Sequence, residues 1–454
     1  MVKKFFVAFT IFIIVSITVY TNITVSADLL SQKNDLLIFS ESYLIQGVPY
    51  VGQTGPYCYY ASCTMIYKYY GVNTSESEVL FTTGVGHSLA YPWTSPGAIE
   101  DSSWTHYPVS GFALSQETDF ICGLYNLSFH EWKPNYNNLT ETEIWEQYWQ
   151  RVKENITNDI PVITTPAPMG LTSNIRLFKH ITNIPDGLLD MVANLFPGGA
   201  HAIVIVGFNE SNQTICFNDP NPGFYDKPEY GTYAWMNLKN FSRLMKFYFI
   251  WTFKKTSSEP LNKAYIFEKV HQRNIQRMNG NASAYGTCIF YGDTAEKFNE
   301  ILGINALKKY LEDLKAGLNN LLLIFYEYKK TGIKRHLLTT FSRIIPSKFI
   351  PRSILEMFID DIVGDRQFKN IILDKQHASE VLWNYSYLSP IILEEAKLLN
   401  REIENWTSLQ EYYSNFAKRG IFITIFRGYQ IINEMSEIIG NIIEIEQKII
   451  DNAS

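Results

Sequence analysis

Cysteine is scarce in this chain: five in 454 residues, at positions 58, 63, 122, 216 and 288. So few thiols exclude a disulfide framework as the basis of the fold. Their odd number leaves at least one without a partner in the same molecule. A marked excess of one charge is also missing. Lys and Arg number 39 against 45 Asp and Glu, a net charge of −6, and no long basic run occurs. That gives no electrostatic footprint for a nucleic acid, and none is expected as a partner. Internal repeats and low-complexity tracts are absent as well. Beyond the first 27 residues there is no continuous apolar stretch long enough to cross a bilayer. Histidines are few, and His87, His106 and His130 show no ligand spacing; neither a metal nor a cofactor is expected.

Aromatic residues, by contrast, are abundant at 15%, within a 46% apolar composition. Such content suits large buried cores and argues against disorder. The N-terminus carries Lys3 and Lys4, an apolar stretch over 5–20, and the small residues Val25, Ser26 and Ala27. This is the layout of a secretory signal over 1–27, with an uncleaved membrane anchor as the alternative. Either places the rest of the chain outside the cytoplasm, secreted or at the cell surface. Asn-X-Ser/Thr sequons at Asn73, Asn126, Asn138, Asn155, Asn209, Asn212, Asn240, Asn281, Asn384, Asn405 and Asn452 fit an exported glycoprotein.

Length suggests more than one domain. From 28 to 255 the pattern mixes helices with β-rich runs: residues 160–164, 202–208, 214–217 and 247–253 read as strands. This predicts an α+β domain with an antiparallel sheet. Residues 256–291 read as a connection. From 292 to 454 proline is sparse and apolar residues fall at helical spacing over 302–328, 391–403 and 421–450, which predicts an all-helical C-terminal domain.

Two segments carry chemistry. In Gln53-Thr-Gly-Pro-Tyr-Cys58-Tyr-Tyr-Ala-Ser-Cys63, Gly55 and Pro56 make a turn, and Gly71 closes the helix that follows. Cys58 falls in the first turn of that helix, where the dipole and free N–H groups stabilise a thiolate. Cys63 falls on another face as a packing residue. Further on, His201-Ala-Ile-Val-Ile-Val-Gly-Phe208 and residues 213–219 flank a polar turn at 209–212. Folding this hairpin so that Phe208 faces Gln213 sets His201 opposite Asp219 or Pro220, within about 5 Å. An imidazole beside a carboxylate is the orienting half of a triad. The interval from Cys58 to His201 lies in the ~130–150 residues of papain-type enzymes. Gln53, with the Cys58 N–H, can complete an oxyanion hole. His180 is a rival base without a derivable carboxylate. Tyr91, Trp93 and Trp104 are assigned to core in preference to a substrate cleft.

These residues carry a resemblance. Gln53…Cys58-Tyr-Tyr-Ala-Ser…Lys-Tyr-Tyr-Gly71 and His201-Ala-Ile-Val-Ile-Val-Gly-Phe…Asn-Asp219-Pro resemble the bacteriocin-processing (C39-like) branch of the papain-like cysteine peptidases, over about 46–225. The resemblance implies a papain-like core, with Cys58 as nucleophile, His201 as base, Asp219 as its orienter and Gln53 as oxyanion donor. Tyr59 stands where that family usually has Gly, and Gln53 is one residue closer to Cys58 than in many members. The stretch Ser75-Glu-Ser-Glu…Gly84-Val-Gly86-His87…Tyr91, with the helical C-terminal half, is similar to butirosin biosynthesis protein H, whose family includes acyltransferases. The expected function is an exported thiol-dependent peptidase or amidase acting on a peptide or amide substrate through a thioester. An acyltransferase and a catalytically inactive surface-binding protein are the alternatives. Oligomeric state is left open.

Overall fold

The computed structural model describes residues 41–91, 108–110, 117–136, 139–166, 201–221, 231–285, 302–316, 363–419 and 421–453. The N-terminal segment 1–27, Trp93, Trp104, His106, His180 and Cys288 lie outside the described residues. The chain runs β1 (Ser42–Leu44), α1 (Cys58–Tyr69), α2 (Glu76–Thr82), β2 (Leu89–Ala90), β3 (Val109–Ser110), α3 (Glu117–Leu124), β4 (Leu127–Trp132) and α4 (Glu141–Ile156). It continues through β5 (Val162–Pro166), β6 (Ile203–Asn209), β7 (Thr214–Asn218), β8 (Ala234–Asn237), α5 (Leu238–Leu244) and β9 (Met245–Lys255). It ends with α6 (Lys263–Met278), α7 (Gly303–Lys315), α8 (Val363–Tyr385), α9 (Pro390–Arg419) and α10 (Ile421–Ala453).

Strand β6 explains the apolar run at 202–208. Every residue from Ile203 to Phe208 is buried, so both faces of the strand are covered and no polar alternation is needed. Each such Ile or Val contributes roughly 1.5–3 kcal/mol by leaving water. Seven antiparallel strands pair in the order β4-β9-β5-β6-β7-β8, with β1 on β6 beyond the end of β5. Helices α1 and α4 pack on β5 and β6. The Trp149 ring of α4 meets Phe208 edge-on at 5.9 Å, and Tyr148 donates to Thr164 Oγ1 at 2.8 Å. Helix α1 ends as the sequence predicts. Gly71 takes φ +88°, and the N–H groups of Gly71 and Val72 close back on Lys68 and Tyr67. An L side chain is strained in that conformation. This is an α+β core with an antiparallel sheet, followed by helices.

The hairpin register differs from the expected one. Phe208 pairs with Ile215, and Asn209 with Thr214. Residues 210–213 all stand in the turn, because Asn209 Oδ1 accepts from the Asn212 N–H at 2.9 Å and Gln213 adopts φ +50°. The register then slips around Val206, so that Ile205 meets Phe217 and Val204 meets Asn218. His201 and Asp219 lie just beyond the paired ends rather than across from each other, and their meeting is made by side chains.

The described part of 256–291 contains α6, whose Ile266, Phe267 and Val270 are buried. Helices α8, α9 and α10 form the C-terminal bundle around Phe368, Trp406, Tyr413, Met435 and Ile439. They are pinned by Lys375, whose Nζ lies 2.8 Å from Glu402 and 2.9 Å from Glu446. Ala378, Val381 and Leu382 of α8 share the core built by the sheet and α1. Residues Glu41–Ser454 form one compact unit.

Candidate active site

Cys58 is the first residue of α1, and no side chain caps that helix. The first-turn N–H groups have no intrahelical acceptors. The N–H of Tyr59 accordingly turns to the Cys58 sulfur, joined by the N–H of Ala202 and the His201 imidazole. Burial alone raises a thiol's pKa, but these donors outweigh it and the Cys58 pKa is lowered from its ordinary 9.0. Burial wins at Cys63 and Cys216, whose thiols are pushed up to about 12. The four described cysteines are in no disulfide, and Cys58 is half-buried where the other three are buried.

His201 enters from the start of β6, anchored by its backbone N–H to the Pro166 carbonyl at the end of β5 (3.1 Å). Its Nε2 lies 2.7 Å from Asp219 Oδ1, so the other ring nitrogen serves the Cys58 sulfur. Burial disfavours the imidazolium. The Asp219 charge and the hydrogen bonds of Asp219 and Cys58 overcome that and push His201 up to about 10. The lowered thiol and the raised imidazole both favour a thiolate–imidazolium pair. Asp219 is fully buried. Its backbone N–H donates to Gly231 (2.8 Å), and its Oδ1 accepts from the Asn221 N–H at 2.9 Å, a local turn that aims the carboxylate.

Gln53 is tied to the same place by its main chain: its N–H donates to the Pro220 carbonyl at 2.6 Å. Its side chain is committed differently from expectation. Nε2 donates to Gly55 O at 2.6 Å, spending one of its two N–H bonds within its own loop. Oε1 is buried without a partner among the described residues. The structure thus brings Cys58, His201 and Asp219 into one hydrogen-bonded chain, with Gln53 joined to it through the backbone.

Other residues fall elsewhere. His87 is buried against Glu395, and His130 lies 3.2 Å from Ser128 Oγ. Tyr91 is core, packed on Tyr310 at 5.1 Å and donating to Asp313. Among the described residues no group of three or more His, Cys, Asp or Glu is arranged to hold a metal. A cavity of about 330 Å³ opens beside the C-terminal end of α1, lined by Tyr70, Glu78, Tyr125 and Tyr385; Cys58 does not line it. Sequence reasoning missed the Ala202 N–H and Tyr50, a buried phenol pushed up to about 12 by burial and by the Asp219 charge. It also missed α8, which packs on the loop before Cys58.

No curated protein matches the chain. Residues 45–246 match the model of a family described as "Peptidase_C39 like family". That match spans α1, strands β2 to β8 and all four residues argued above, so this segment is similar to that family.

Proposed function

We propose that this protein is an exported thiol-dependent peptidase or amidase that cleaves a peptide or amide through a Cys58 thioester. The observation that carries the reading is the hydrogen-bonded chain Cys58–His201–Asp219 at the start of an uncapped helix. The Cys58 sulfur attacks the amide carbon and a C–S bond forms. The oxyanion is met by the Cys58 N–H and the second N–H of Gln53 Nε2. His201 gives its proton to the leaving amine as the C–N bond breaks. His201 then takes a proton from water, the hydroxide attacks the thioester, and the acid departs as the thiolate and imidazolium re-form. Asp219 holds the ring in the right tautomer throughout. Neither nucleic acid nor cofactor takes part.

Export is supported by the N-terminal layout and by exposed sequons at Asn73, Asn212, Asn281, Asn384 and Asn452. Asn240 is buried and leaves no room for a glycan. The test is limiting iodoacetamide on the intact chain, followed by peptide mapping. Cys58 is labelled first; labelling of Cys63 or Cys216 ahead of it sinks the reading. Product analysis with and without an added amine then separates hydrolase from acyltransferase. Free acid is the expected product, and acylated amine as the main product overturns hydrolysis.

A further inference from the structure

The loop between Gln53 and Cys58 is held from two sides. On one, the Gln53 N–H is bonded to Pro220, next to Asp219. On the other stands α8, more than 300 residues away in sequence. His377 of α8 is buried. Its Nε2 lies 2.9 Å from Thr54 Oγ1 and its Nδ1 2.9 Å from Ser77 Oγ. The Thr54 hydroxyl gives its proton to Glu76 Oε2 at 2.8 Å, so it accepts from His377. The same helix supplies Asp374, which accepts from the Tyr57 hydroxyl, and Leu373, whose Cδ2 would lie 2.6 Å from any Cβ at position 55. The His377 ring also meets Tyr57 edge-on at 5.4 Å. The carboxylates of Glu76, Glu380 and Asp374 and the phenol of Tyr57 surround it.

The geometry points to His377 as a positioning residue for the oxyanion donors, contributed to the papain-like domain by the C-terminal helices. This role rests on the proposed Cys58 chemistry and divides the labour between two parts of the fold. The pairing of Cys58 with His201 is set by α1 and the start of β6, which His377 does not touch. The aim of Gln53 and the Cys58 N–H is set by the loop, which His377 holds through Thr54. Loss of His377 therefore disturbs acyl transfer, where an oxyanion must be stabilised, and spares alkylation, where none forms.

Two probes separate these. Iodoacetamide reads the thiolate alone. With p-nitrophenyl acetate the Cys58 sulfur attacks the ester carbon. The C–S bond forms, the C–O bond breaks and p-nitrophenolate leaves with the electron pair. The acetyl thioester is then hydrolysed to acetate. His377→Ala lowers the p-nitrophenolate burst rate by roughly tenfold or more and leaves Cys58 alkylation within about twofold. His377→Gln, with one donor and one acceptor, restores part of the burst rate. Thr54→Val, at an exposed position, reproduces the loss. The double variant His377→Ala/Thr54→Val is no slower than the worse single one by more than about twofold, because both cut the same link. An unchanged burst rate in His377→Ala, or equal falls in burst and alkylation, overturns the inference. Failure of wild-type Cys58 to react ahead of the buried cysteines overturns instead the reading on which it rests.

Discussion

Two buried imidazole–carboxylate couples stand out among the described residues, and only one has the makings of an active site. His201 meets Asp219 at 2.7 Å. His87 meets Glu395 at 3.4 Å, and Glu395 is shared with His271 at 2.5 Å. Both couples are buried; the first joins the two arms of one hairpin, the second residues more than 300 apart in sequence. The difference lies at the far nitrogen. His201 has the Cys58 sulfur there, and it is pushed up to about 10. The Nδ1 of His87 finds no partner among the described residues. Burial wins there and lowers its pKa despite Glu395. Glu395 in turn is drawn down to about 2: burial opposes this, and its two histidine partners overcome burial. A buried His–carboxylate pair is thus a structural joint by default, and it becomes catalytic equipment when a third group gives its proton somewhere to go.

The comparison breaks most sharply at the sulfur. Cys58→Ser should cut turnover of any amide or ester reporter by at least about a thousandfold while leaving the melting curve in place. Retained turnover would reduce His201–Asp219 to the rank of His87–Glu395. Next comes the pair itself. Asp219→Asn should lower the rate by between about 10² and 10⁴, and His201→Ala by at least as much, as measured by burst kinetics. Full activity in both variants would remove the triad.

Titration sharpens the contrast further, because the two couples answer to opposite ends of the pH scale. His201 has a folded pKa raised above its ordinary 6.5. Its contribution to stability is complete below 6.5 and is lost as pH rises through about 10. Turnover should fall along the same alkaline limb. His87 has a lowered pKa, so its contribution is lost as pH falls below 6.5, where the unfolded chain takes up the proton first. Melting temperature against pH should therefore decline on the acid side, and His87→Gln should flatten that decline. The smallest effect on activity belongs to the same variant. His87→Gln should cost about 1–3 kcal/mol of stability and leave reporter turnover within about twofold. A hundredfold loss of turnover would make the second couple functional after all.

What the sequence disclosed follows the range of each contact. His201 and Asp219 lie 18 residues apart on one hairpin, so folding the chain on itself finds them even with the pairing offset wrong. The offset was out of reach because it depends on the Asn209 side chain and the left-handed Gln213, which lengthen the turn. Cys58 was legible because helix starts have local signals. Gln53 was legible as a neighbour of the site, but its commitment to Gly55 was not. The contacts of His377 with Thr54 and of Asp374 with Tyr57 bridge more than 300 residues, and no periodicity encodes them. The helical C-terminal region was readable as helices, while its contacts with the loop before Cys58 came only from packing.

The bare start of α1 has a further consequence for how this chain can change. A Ser, Thr, Asp or Asn cap is worth about 0.5–2 kcal/mol to a helix, but at position 57 it would replace the buried Tyr57, whose hydroxyl is bonded to Asp374. Such a cap places a side-chain oxygen on the N–H of residue 59 or 60, and the Tyr59 N–H is one that faces the Cys58 sulfur. The oxygen and the thiolate would compete for one proton. Helix capping and thiolate stabilisation therefore make opposite demands on position 57. A designer who repaired this helix by the usual rules would quieten the thiol and lose a buried aromatic ring as well.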